Sequence, residues 1–87
     1  MVFQLDPKLE QDSTFICDLT LCHIRLSHNA AFPWILLIPK RANIIEIIDL
    51  TEADQLQLLK EIREACYVLK KLSGAKKLHL AIALNVS

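Results

Sequence analysis

The apolar positions of this chain form one long helical stripe and four short runs with strand character. Between Leu50 and Gly74 they recur at Leu56, Leu59, Ile62, Cys66, Leu69 and Leu72, three or four apart, which is the spacing of one helical face. Thr51 with Asp54 three positions on forms a capping box, with Asp in place of the preferred Glu. Lys70 and Lys71 suit the negative end of a helix dipole, and Ser73-Gly74 supplies a stop because glycine takes the left-handed C′ conformation easily. The pattern predicts a helix over about residues 52–73.

The other runs alternate with period two or are continuously apolar. Phe15 to Asp18 and Leu21 to Leu26 read as short strands, the second with Cys22, Ile24 and Leu26 on one side and His23 and Arg25 on the other. Ser27 to Ala31 reads as a turn, with His23 and His28 flanking one end of the hairpin. Pro33 to Pro39 is then a nearly continuous apolar strand with a proline at each end, where proline is tolerated. The pair predicts an antiparallel hairpin with a loop of five or six residues. Residues 44–49 read as a short turn or helical lead-in. Leu78 to Val86 alternates large aliphatic residues (Leu78, Leu80, Ile82) with small or polar ones (His79, Ala81, Ala83), the signature of a strand with two unlike faces. The expected fold class is α+β: one domain over residues 1–87, an antiparallel sheet of about four strands, and the long helix packed on one face.

Composition narrows the functional classes. An 87-residue chain buries roughly 60–65% of its unfolded surface, and 53% hydrophobic residues supply a core. Ten basic and ten acidic residues balance to zero, which excludes a nucleic-acid binder working by phosphate neutralisation. Three cysteines are an odd, sparse set, so reduced thiols in a cytoplasm are expected and a disulfide scaffold is not. No signal peptide is visible, and Trp34 to Ile38 is too short to cross a bilayer. Gly74 is the sole glycine, which excludes glycine-rich phosphate loops.

Several separated blocks carry a resemblance. They are Leu5-Asp6-Pro7-Lys8-Leu9, Phe15-Ile16-Cys17-Asp18-Leu19, Phe32-Pro33-Trp34, Pro39-Lys40-Arg41, Ile47-Ile48-Asp49-Leu50-Thr51 and Gly74-Ala75-Lys76-Lys77-Leu78. In this order and spacing the chain resembles, over nearly its whole length, the N-terminal part of a bacterial subgroup of the histidine triad (HIT) family of nucleotide hydrolases and transferases. The resemblance implies the sheet-and-helix scaffold above, and an activity of nucleotide phosphoramidate or dinucleoside polyphosphate hydrolysis or transfer. In the family a His-x-His-x-His segment on a further strand supplies the nucleophile that attacks the α-phosphorus, and its neighbours orient it and protonate the leaving group. These 87 residues contain no such segment, and they stop just after Asn85, about where the family's loop toward that strand begins. The resemblance therefore implies a truncated or degenerate form, catalytically inactive as it stands.

It also implies a nucleotide-binding set at His28, Asn29, His79 and Asn85. Here the chain departs from the family, which usually carries Asn-Asp at the turn now reading His28-Asn29, the acidic residue holding ribose hydroxyls. The family's Lys-Leu-Asn reads Lys77-Leu78-His79, and its Gly-Asn pair reads Leu84-Asn85. The expected ligand is a purine mononucleotide, held weakly, with no cofactor.

The remaining candidates have plainer readings. The histidines are never two apart, so no triad is expected from them and no catalytic residue is assigned. Cys22 and His23, adjacent in a strand, face opposite sides, so no zinc site is expected with Cys17 and His28. Cys66 reads as a core residue, Trp34 as core, and Lys40-Arg41 as a solvated basic pair. Two other functions compete with the nucleotide-binding one. A terminal strand with an unpaired edge fits a homodimeric interaction module. An interrupted gene whose product has no selected function is the other, and the DNA beyond the Ser87 codon discriminates it.

Overall fold

The computed structural model describes residues 7–28, 34–73 and 79–84. A short helix α1 (Pro7–Gln11) leads into strands β1 (Ser13–Asp18), β2 (Cys22–Ser27) and β3 (Trp34–Pro39). A single 3-10 turn (Ile47–Asp49) precedes the long helix α2 (Glu52–Ser73), and β4 (His79–Ile82) follows. The strands form one four-stranded sheet in the order β1-β2-β3-β4.

Helix α2 has the bounds that its spacing predicts. The Thr51 hydroxyl accepts the Asp54 backbone N–H at 3.1 Å, half of the expected capping box. The Asp54 carboxylate turns instead to Arg41, taking Nε at 2.8 Å and Nη2 at 3.3 Å. Arg41 thus ties the segment after β3 to the start of α2. Just upstream, the Asp49 carboxylate accepts the backbone N–H groups of Glu46 and Ile45, which organises the lead-in turn. The helix stop expected at Gly74 lies outside the described residues.

β1 with β2 and β2 with β3 pair antiparallel, as expected. β4 departs from the expected antiparallel sheet: it pairs parallel to β3, with Trp34 opposite His79 and Leu37 opposite Ile82, so the sheet is mixed. The cause is the connection. A parallel neighbour needs a long crossover, and α2 provides one between β3 and β4. Within β1 the register slips at Ile16, which has no partner on β2 while Phe15 faces Arg25 and Cys17 faces Ile24.

The pleat sorts the side chains by face. Toward α2 point Cys22 and Ile24, Ile35 and Leu37, and the partly buried Leu80 and Ile82, closed by Leu21, Leu50 and Leu58. The helix stripe that meets them is rotated from the one the spacing suggests. Leu58, Glu61 and Ala65 are buried and Ile62 and Leu69 pack on the core, whereas Leu56 and Leu59 are each 65% exposed. No helix among the described residues is long and apolar enough to cross a membrane.

Candidate functional site

Two of the four expected nucleotide positions, His28 and His79, lie at one end of the sheet, where β2 ends and β3 and β4 begin. His28 follows directly on β2. Its backbone N–H donates to the Asp12 carbonyl at 3.0 Å, and its Nε2 lies 2.6 Å from the Thr14 hydroxyl. Both contacts hold it against β1 and the end of α1. His79 opens β4 and is half-buried, its ring 5.1 Å from the Trp34 ring at an interplanar angle of 41°. The structure therefore puts His28 and His79 at the same end but on opposite sides of β3, with Trp34 between them in the register. The other two expected positions, Asn29 and Asn85, lie outside the described residues. Trp34, expected in the core, is only half-buried and lies on the sheet face opposite Ile35 and Leu37, outside the core cluster, where its ring meets His79.

His23 does not share an end with His28. It sits at the start of β2, five residues earlier, which separates the two by roughly 16 Å of extended chain. Around it lies a connected polar network. His23 Nδ1 is 2.9 Å from Asp18 Oδ1, and His23 Nε2 is 3.1 Å from Arg25 Nη1. A guanidinium has only donors, so Nε2 accepts and the ring proton sits on Nδ1, facing the carboxylate. Arg25 is buried, and it also donates Nε to the Ser13 hydroxyl (2.6 Å) and Nη2 to the carbonyls of Ser13 (2.8 Å) and Glu10 (3.1 Å). The Ser13 hydroxyl passes its own proton to Leu9 O at 2.6 Å. Phe15 stacks on the His23 ring at 4.9 Å.

An Asp–His pair of this kind can orient a general base, but here Nε2, the atom a base must present to substrate, is taken by Arg25. The network fastens α1 and β1 to β2. Lys40, expected to be solvated, donates to the Leu19 carbonyl at 2.9 Å and stands 3.7 Å from Asp18, so it braces the same turn.

Sequence reasoning missed a second cluster on the helix side. Glu61 is 1% exposed, and its two carboxylate oxygens accept the backbone N–H groups of Leu21 and Cys22, both at 2.8 Å, and the Gln57 side-chain amide at 2.7 Å. Burial alone raises its pKa, but the hydrogen bonds from Gln57, the two backbone amides and the Cys22 thiol outweigh it and hold the group below the usual value. Cys22 is affected the other way: burial first, then the neighbouring Glu61 charge, push its thiol up to about 12. A thiol so protonated is no nucleophile. Cys17 is exposed and Cys66 half-buried, both unpaired. No group of three or more metal-ligating side chains converges among the described residues.

The HIT domain family model matches residues 8–86. The chain belongs to the histidine triad family. Two solved histidine triad proteins share its fold. One, from Bradyrhizobium japonicum, is 37% identical with a TM-score of 0.84, covering 93% of this chain and 60% of its own. The other, from Sinorhizobium meliloti 1021, is 43% identical with a TM-score of 0.80, covering 86% and 56%. This histidine triad chain thus spans about 60% of the length of the solved relatives it matches. Comparison with curated proteins gives no match. The α+β scaffold expected from the resemblance is the one observed, with four strands and one long helix.

Proposed function

We propose that this chain is the nucleotide-binding scaffold of a histidine triad protein and that, as an isolated 87-residue unit, it binds a purine mononucleotide weakly without hydrolysing it. One observation carries the second half. Its three histidines occupy three separate places, and the one held in an Asp–His pair has its second nitrogen occupied by Arg25. Nothing in that arrangement can attack phosphorus and hand a proton to the leaving group together. The first half is supported by family membership and by the Trp34–His79 end, where a half-buried indole offers a stacking surface for a base. Three unpaired thiols fit a reducing cytoplasm as its location.

Calorimetric titration with AMP and GMP tests the binding half. Heat with a millimolar midpoint, lost in Trp34→Ala, is the expected result, and no heat at millimolar nucleotide overturns it.

A second reading, a homodimeric module, draws on the surface of α2. Leu56, Leu59 and Tyr67 fall on one exposed stripe, at 65%, 65% and 67% exposure, and β4 adds a sheet edge. Sedimentation velocity decides it: a clean monomer at tens of micromolar removes this reading.

A further inference from the structure

A cavity of about 190 Å³ opens between β1 and α2, on the face of the sheet opposite the Arg25 network. Three features of the chain make it. Ala65 lies on the buried stripe of α2 between Leu58 and Leu69, and its small side chain leaves room that a larger residue would fill. The bulge at Ile16 brings Ile16 and Cys17, neighbours that would diverge on a regular strand, to the same side, where both, though exposed, border the space. Ile24 and Leu19 close the floor, and Val68 stands at the mouth, 55% exposed. A dry apolar cavity of about 150 Å³ is enough to hold a benzene ring.

One lining residue carries charge. Glu64 is exposed at the rim, and its carboxylate has no hydrogen-bond or salt-bridge partner among the described residues. Lys60 and Arg63 line the adjoining recess and not this cavity, so the charge on the cavity's own lining favours a cation and separates this cavity from a phosphate-bearing ligand at the Trp34–His79 end. We propose that the cavity between β1 and α2 is a binding site for a compact apolar group bearing a cationic nitrogen, such as an arylalkylammonium ion. The ring enters beside Ala65 and Ile16, and the ammonium stays at the wet rim beside Glu64, where a partly solvated ion pair is formed without burying either charge.

Amide NMR titrations of the 87-residue protein with benzylammonium, benzyl alcohol and phenylacetate test this. A ligand of so few heavy atoms binds in the millimolar range. Benzylammonium is expected to shift the amides of Ile16, Cys17, Val68 and Leu69, to bind about threefold more tightly than benzyl alcohol, and to slow alkylation of Cys17; phenylacetate is expected to bind weakest. Glu64→Gln should leave benzyl alcohol binding unchanged and erase the preference for the cation. Ala65→Leu should abolish binding of both, and Val68→Phe, at an exposed position that narrows the mouth without disturbing the core, should weaken both even if Ala65→Leu does not fold. The site is overturned if millimolar benzylammonium shifts none of these amides, or if Val68→Phe and Ala65→Leu bind it as the parent does. The cation preference is overturned if Glu64→Gln retains it.

Discussion

The two faces of the sheet each bury one charged side chain, and they satisfy it by different means. On the helix face, Glu61 is met by the backbone N–H groups of Leu21 in the β1–β2 turn and of Cys22 at the start of β2, and by one amide from its own helix. On the other face, Arg25 is met by a hydroxyl, an imidazole and two carbonyls from α1, β1 and β2. The first arrangement asks the backbone to supply the donors, so only an acceptor at position 61 fits it. The second shares the load among side chains that can be removed one at a time. The helix-face charge therefore decides how α2 is rotated on the sheet, and the opposite charge decides how firmly the N-terminal elements are attached.

The contrast is broken most sharply at Glu61. Glu61→Gln sets an NH2 group against one of the two backbone donors and strips the charge from the bond that remains, and the loss is expected to be roughly 3–5 kcal/mol, a large part of the stability of a domain this size. Urea denaturation checks it, and a loss below about 1 kcal/mol contradicts the role assigned to the carboxylate. The same face predicts the pH limits. Because Glu61 is held below its ordinary value of 4.5, its contribution is complete above that pH and is lost as pH falls through the folded value. Because the Cys22 thiol is raised from 9.0 to about 12, its contribution is complete below pH 9 and is lost as pH rises through that window. Denaturation profiles of Cys22→Ala should lose the alkaline slope and keep the acid one.

Smaller effects belong to the other face. Arg25→Met leaves the Ser13 and Glu10 carbonyls and His23 Nε2 without their donor, for an expected loss of about 2–3 kcal/mol with protection of α1 amides lost first in hydrogen exchange. His23→Leu removes the link between Asp18 and Arg25 and the ring that Phe15 stacks on, and should cost about 1 kcal/mol. Equal losses for Arg25→Met and His23→Leu would mean that the load is not shared as described.

The comparison also marks where sequence patterning was sufficient. The extent of α2, the positions of β1 to β3 and the 3-10 lead-in follow from periodicity and capping residues, which are local properties, whereas of the run read as a strand over Leu78–Val86 β4 holds His79–Ile82 and Ala83 and Leu84 fall outside it. The rotation of α2 does not follow from local properties. Leu56, Leu58 and Leu59 make two apolar stripes equally plausible, and a glutamate reads as solvent-facing until the unpaired N–H groups of Leu21 and Cys22, forty residues away in sequence, are placed beneath it. The direction of β4 depends on α2 acting as a crossover, which the strand's own alternation does not encode. At the candidate site, the departures at His28 and His79 were legible as residues. Their separation across β3, and the occupation of His23 by Arg25, come from strand register and from a buried guanidinium that resembles any surface arginine in a list of residues.

The chain carries the scaffold of the histidine triad family, and the central proposal is that these 87 residues do not hydrolyse a nucleotide by themselves. Hydrolysis of adenosine 5′-phosphoramidate by the isolated chain measures this directly. The account predicts release of AMP at the rate seen without protein. Turnover above that rate, abolished in His28→Ala or His79→Ala while the fold is retained, would contradict it.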